Sequence, residues 1–237
     1  VRTLDALHLA SSRGADRLVT FARTFVARAA QAGAQPPVAP VPRRGSIRDA
    51  FRCLNCWWAG VQHSGFAVAT AACAWISLFL LREFDLPLAA AGALGSLLLF
   101  VTTVMRPFGG WLVARRTLRT RQAMALGNGL IIVGVVLLGL PGRPLAVALA
   151  GAVLLGIGGG LPYASVFNTA AASLRDAPAA GQGMPVILGN VVIFTVTPAM
   201  GYAVQAYGFA AAWGLIAVLM SAVLATIPFM KGEEDLP

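Results

Sequence analysis

The residue in this sequence best placed to do chemistry is one arginine. Arg106 is the sole charged residue between Asp85 and Arg115, and residues 86–114 around it are otherwise dominated by apolar and small side chains. A dense basic cluster follows: Arg115, Arg116, Arg119 and Arg121. A guanidinium is permanently charged and offers a rigid fork of donors, which suits a planar oxyanion. If the apolar run spans a membrane, the cluster marks one surface. Arg106 then lies roughly 13 Å inside, near the middle of a hydrocarbon layer about 30 Å thick. A charge at that depth is costly unless it faces a partner or a water-filled cavity, so Arg106 is the leading substrate-binding candidate.

Weaker candidates are uncharged or titratable groups inside other apolar runs. His63, Tyr163, Asn168 and Asn190 have the polarity to line a cavity with Arg106, as do Gln62 and Thr195. For each the competing reading is a hydrogen bond between helices. His63 has the chemistry of a proton-coupling group. No carboxylate falls within the runs, which argues against a carboxylate proton relay. Gly156-Ile-Gly-Gly-Gly160 superficially resembles a phosphate loop, but it has no following lysine and lies in an apolar run, so helix packing is the reading. Cys53-Leu-Asn-Cys56 has metal-ligand spacing without a second pair, and reads as an ordinary helix start. Neither a metal, a cofactor nor an enzymatic activity is expected.

These candidates need a scaffold, and composition says which kind. Of 237 residues, 58% are hydrophobic and only 11% charged, against about 25% charge in soluble domains. A net charge of +9 could suggest a nucleic-acid partner, but the arginines fall between apolar runs, as in membrane proteins. Three cysteines supply no closed disulfide framework. Six apolar runs separated by breakers, at about 57–81, 87–113, 122–140, 145–172, 184–206 and 209–230, have the length of spanning helices. Arg43, Arg44, Arg48, Arg52, the 115–121 cluster, Arg175 and Lys231 fall on one side, and only Arg82 and Arg143 on the other. Both termini are therefore expected in the cytoplasm. Trp57, Trp58, Trp111 and Trp213 are expected in the interfacial belts, and Pro162 and Pro198 are expected to bend their spans.

Ahead of the spans lie residues 1–34, a helix–strand–helix pattern too short to bury its own core. No signal peptide is evident. The chain opens on Val1 rather than Met, which fits a fragment or an unusual start codon. Residues 35–56 form a Pro-rich extended linker and then a basic juxtamembrane segment, in which Ile47 and Phe51 sit one helical turn apart. Residues 231–237 make a short acidic tail.

Two resemblances add to this reading. Arg2-Thr-Leu-Asp-Ala-Leu-His-Leu-Ala10 and Gly14-Ala-Asp-Arg-Leu-Val-Thr-Phe21 resemble the C-terminal end of a PIN-domain ribonuclease of the toxin type. That family would make Asp5 a Mg²⁺ ligand, but its usual second aspartate is replaced by Ala22, and one carboxylate cannot hold the ion. An inactive remnant is expected.

Arg106-Pro-Phe-Gly-Gly-Trp-Leu-Val-Ala-Arg115 resembles the loop between the eighth and ninth helices of major facilitator superfamily transporters. The pattern is matched at Arg106, Pro107, Gly109, Gly110, Leu112 and Arg115, and departs at Ala114, where the family usually has an aspartate. The resemblance implies a gating loop comprising Gly109, Gly110, Arg115 and Arg116. An arginine before this loop also resembles the nitrate/nitrite porters, with a partial signature at Gly189-Asn190.

The expectation is an all-α membrane protein: six transmembrane helices resembling one half of the major facilitator fold, behind a short soluble N-terminal segment. It would sit in a bacterial inner membrane and carry a small organic or inorganic anion such as nitrate by alternating access. The chain would pair with a second six-helix half or a second copy of itself, with lipid as its other partner and no nucleic acid. The competing expectation is a truncated or fused membrane protein that transports nothing.

Overall fold

The computed structural model describes residues 47–236, so the PIN-like segment and the Pro-rich linker lie outside the described residues. Among the described residues the structure is helical: α1 (Ile47–Arg52), α2 (Leu54–Glu83), α3 (Leu88–Ala114), α4 (Thr120–Gly139), α5 (Leu145–Gly160), α6 (Tyr163–Ser173) and α7 (Pro178–Ala225), followed by two short 3-10 turns. The expected membrane fold is therefore present.

Helix starts are placed by proline. Pro87, Pro144 and Pro162 stand at the N-caps of α3, α5 and α6, and Pro178 opens α7. Proline brings no N–H to leave unpaired at a helix start, and its φ is already set for the first turn. The start of α4 is capped differently. Gln122 Oε1 accepts from the Arg119 backbone N–H at 2.9 Å, and the Glu234 carboxylate accepts from the Thr120 N–H at 3.1 Å. Arg121 pairs with Asp235 at 3.2 Å, so the acidic tail is bound to the basic turn between α3 and α4.

Five helical runs are long and apolar enough to cross a membrane, the last being 58 residues, Pro178–Asp235. That run makes two passes because α7 is broken at Gly208, whose φ of 82° and ψ of 175° are non-helical and strained for any side chain. The contacts show the reversal. In the first arm (178–207), Leu188 meets Gly60, Gly189 meets His63 and Gly201 meets Trp75, so the numbers rise together and the arm runs parallel to α2. In the second arm (209–225), Phe209 and Trp213 meet Phe79, whereas Val223 meets Gly65 and accepts from Gln62. There the numbers run in opposite directions. Six passes result, as expected. α5 and α6 divide the fourth of these at Leu161–Pro162, so Pro162 does interrupt its span. Pro198 lies within continuous helix: the sole residue of α7 with non-helical backbone is Gly208.

Small residues let the helices approach closely. A Cβ at Gly134 would stand 2.6 Å from the Gly151 carbonyl oxygen, and one at Gly151 would stand 2.7 Å from that of Gly134. Backbone against backbone cannot be relieved by a rotamer change. In lipid, where apolar burial does not drive helix pairing, such contact is what holds α4 to α5. Gly156 and Gly160 likewise face Leu98 and Thr102 of α3, which fits the packing reading of that glycine run.

Two polar groups stabilise the interior. Gln62 is fully buried: its amide donates to the Val223 carbonyl at 3.0 Å and to Thr226 Oγ1 at 2.8 Å, and its oxygen accepts from Asn128 at 2.9 Å. At one end of the bundle, Arg143 pairs with Glu83 at 3.1 Å and stacks over Phe79 at 4.6 Å. Trp213 joins that aromatic group, 5.4 Å from Phe79, and is fully buried. It is a core residue rather than a belt residue, because α7 turns back at Gly208 and brings its second arm onto α2. Trp111, by contrast, is exposed.

Candidate functional site

The site is built where α2, α3, α6 and the first arm of α7 meet. Arg106 sits eight residues before the end of α3, roughly 12 Å along the axis. Its neighbours explain how a cation is held there. The guanidinium carbon lies 4.2 Å from the centroid of the Tyr163 ring, a cation–π contact. Tyr163 is the first residue of α6, placed by the break at Leu161–Pro162. Arg106 Nε is buried and has no hydrogen-bond partner. The tyrosine face therefore offsets the charge, while a donor remains unsatisfied.

His63 completes a ring cluster. Its imidazole meets Tyr163 at 5.6 Å, Phe167 at 5.0 Å and Phe66 at 6.3 Å, all edge to face. On its other side lies Gly189, where a Cβ would stand 2.5 Å from Cδ2 and 2.7 Å from Nε2. The absence of a side chain at Gly189 is what allows the imidazole against α7. His63 Nδ1 is buried without a partner.

Around these groups lies a cavity of about 210 Å³. His63, Arg106, Tyr163 and Asn190 all line it, so the structure brings together four of the seven residues singled out from sequence. Asn168 is not among them. It is exposed on α6 one residue beyond Phe167, and helical geometry turns it about 100° from that ring. Thr195 is also away from the cavity, donating to the carbonyls of Val191 and Val192. Gln62 is taken up by the buried network described above.

Thr70, Phe66 and Phe167 line the cavity without having been singled out. The signal was present as spacing: Phe66 and Thr70 lie three and seven residues after His63, and Phe167 four after Tyr163, each on a shared helix face. Asn128 was also missed, and belongs to the interior network.

The glycine pair of the loop motif has a definite structural place. A Cβ at Gly109 would overlap the Leu161 carbonyl oxygen, and one at Gly110 would stand 2.9 Å from Ala164 Cβ. α3 thus crosses directly over the α5–α6 break that positions Tyr163. Arg115 stacks over Trp111 at 5.2 Å, and Arg116 turns the chain with a φ of 57°. Both arginines are exposed at the end of α3, outside the cavity lining. Cys53 and Cys56 open α2, and their thiols point at the carbonyls of Ser173 and Ala170, each at 3.8 Å.

No protein-family model matches the chain, and no curated protein matches it. Solved structures do. A peptide transporter (POT) mutant in complex with sulfate superposes with a TM-score of 0.64 at 24% identity, covering 81% of this chain and 40% of the transporter. A second structure of such a transporter, in complex with alafosfalin, gives 0.62 at 24% identity over 80% of this chain. The chain spans about 40% of the length of these transporters. The likeness is one of fold, that of a transporter half, and the chain is a multi-pass membrane protein of that architecture.

Proposed function

We propose that the chain is a carrier rather than an enzyme, moving a small anionic solute across a bacterial inner membrane by alternating access. One observation carries this reading. A permanently charged Arg106, with an unsatisfied buried donor, faces a cavity that no carboxylate lines among the described residues. Burial at membrane depth leaves such a cation seeking an anion. The cavity suits a small planar oxyanion, nitrate or nitrite, or a small organic acid whose carboxylate takes the same fork.

The carrier needs a second wall. Of the residues lining the cavity, Asn190 and Ile193 on the first arm of α7 are exposed. A separate six-helix half, or a second copy of the chain, supplies the facing surface, and rocking of one against the other exposes the cavity to each side in turn. The distribution of arginines supports cytoplasmic termini.

The test is uptake of labelled nitrate and acetate by proteoliposomes containing the full chain, with and without a co-expressed partner half. Arg106→Ala is expected to abolish flux and Arg106→Lys to impair it, since a point charge cannot replace the two-pronged donor. Wild-type rates in both variants overturn the anion site.

A further inference from the structure

Resting on that anion reading, we infer that His63 carries a proton that binds cooperatively with the anion on Arg106, so that the two cross together. The argument begins with what faces the imidazole. From α3 comes Arg106, from α6 come Tyr163 and Phe167, and from α7 come Gly189 and Asn190. On α2 itself the lining residues Phe66, Ala67 and Thr70 carry no charge. Among the described residues Arg106 is the single charged group lining the cavity, and Tyr163 lends it a ring face. Among these groups only an imidazole changes charge near neutral pH.

Both cations would sit against one ring, Arg106 4.2 Å and His63 5.6 Å from the Tyr163 centroid. No more than about 10 Å then separates them, within range of a strong interaction in a poorly polarisable setting. With no carboxylate among the described residues lining the cavity, a charged imidazole beside a bare guanidinium is opposed. An anion held by Arg106 cancels the net charge behind that opposition. Anion and proton therefore favour each other, and linkage requires the effect to be mutual. The buried, unpartnered Nδ1 supplies the free ring position. The step balances simply: a proton leaves water on one side, rests on the imidazole while the anion is bound, and returns to water on the other.

The test uses the purified full chain in nanodiscs. Nitrate and acetate affinities are measured between pH 5.5 and 8, and proton uptake on anion addition is followed in weakly buffered solution. Affinity is expected to rise roughly tenfold toward the acid end, with a fraction of a proton, about 0.4 averaged over that range, taken up per anion bound, since the slope of log affinity against pH is the number of protons taken up. In His63→Gln, and in His63→Phe should the glutamine variant misfold, protons per bound anion should fall to none. Binding by the wild type with pH-independent affinity and no proton uptake overturns this inference alone. An absence of anion binding at any pH overturns the anion reading and this inference with it.

Discussion

Gln62 and His63 are adjacent in the chain and meet opposite surroundings. Gln62 turns toward the second arm of α7 and α4, where every polar atom of its amide is paired within the protein. His63, one residue and about 100° around the helix, faces three aromatic rings and an open cavity, and its Nδ1 finds no partner. The first is polar glue whose partners come from the fold. The second, with Arg106, keeps capacity that a ligand can fill. α2 therefore divides the bundle into a closed side and an open side.

That division can be broken on either side. The largest effect is expected from Gln62→Leu, which strands the Asn128 amide in the interior and should cost about 1–3 kcal/mol. Thermal unfolding in detergent should show it as a lower midpoint, while the pH dependence of nitrate affinity is kept. An unchanged midpoint would mean that the closed side does not depend on this network. Gly189→Ala tests the open side. Its Cβ forces the imidazole away from α7, so uptake should fall severalfold with a smaller loss of stability, because the displaced atoms belong to a side chain rather than backbone. A midpoint shift as large as that of Gln62→Leu, with normal uptake, would assign Gly189 to packing alone. Tyr163→Phe is the mildest change. It keeps the ring beneath Arg106, and affinity should stay within about threefold of wild type. A complete loss would show that the phenol hydroxyl, rather than the ring face, holds the ligand.

Much of this arrangement was legible before any coordinates. Six passes follow from breakers and apolar length, and Arg106 follows from being the one charge in its span. Tyr163 and Asn190 could be suspected because polar groups inside apolar runs need a reason. Trp213 is buried and Asn168 falls outside the cavity lining for a common reason: burial and helix face depend on how the spans pack. Sequence counts do not reveal that α7 folds back at Gly208 and buries Trp213 against Phe79. Likewise, only the crossing of α3 over the α5–α6 break decides that Tyr163 faces inward while Asn168 faces out. The partners of Gln62 lie more than 60 positions away along the chain, beyond the reach of local pattern.

The cap on α4 has a consequence in time. Thr120 donates its first free amide to a carboxylate that follows it by 114 positions. During synthesis α4 must enter the bilayer with that amide open to water or headgroups. Its start is finished only after both arms of α7 have been made and the tail returns to the turn between α3 and α4. The start of α4 is thus completed by residues made long after it, so lesions in residues 232–235 should register as fraying at the start of that earlier helix.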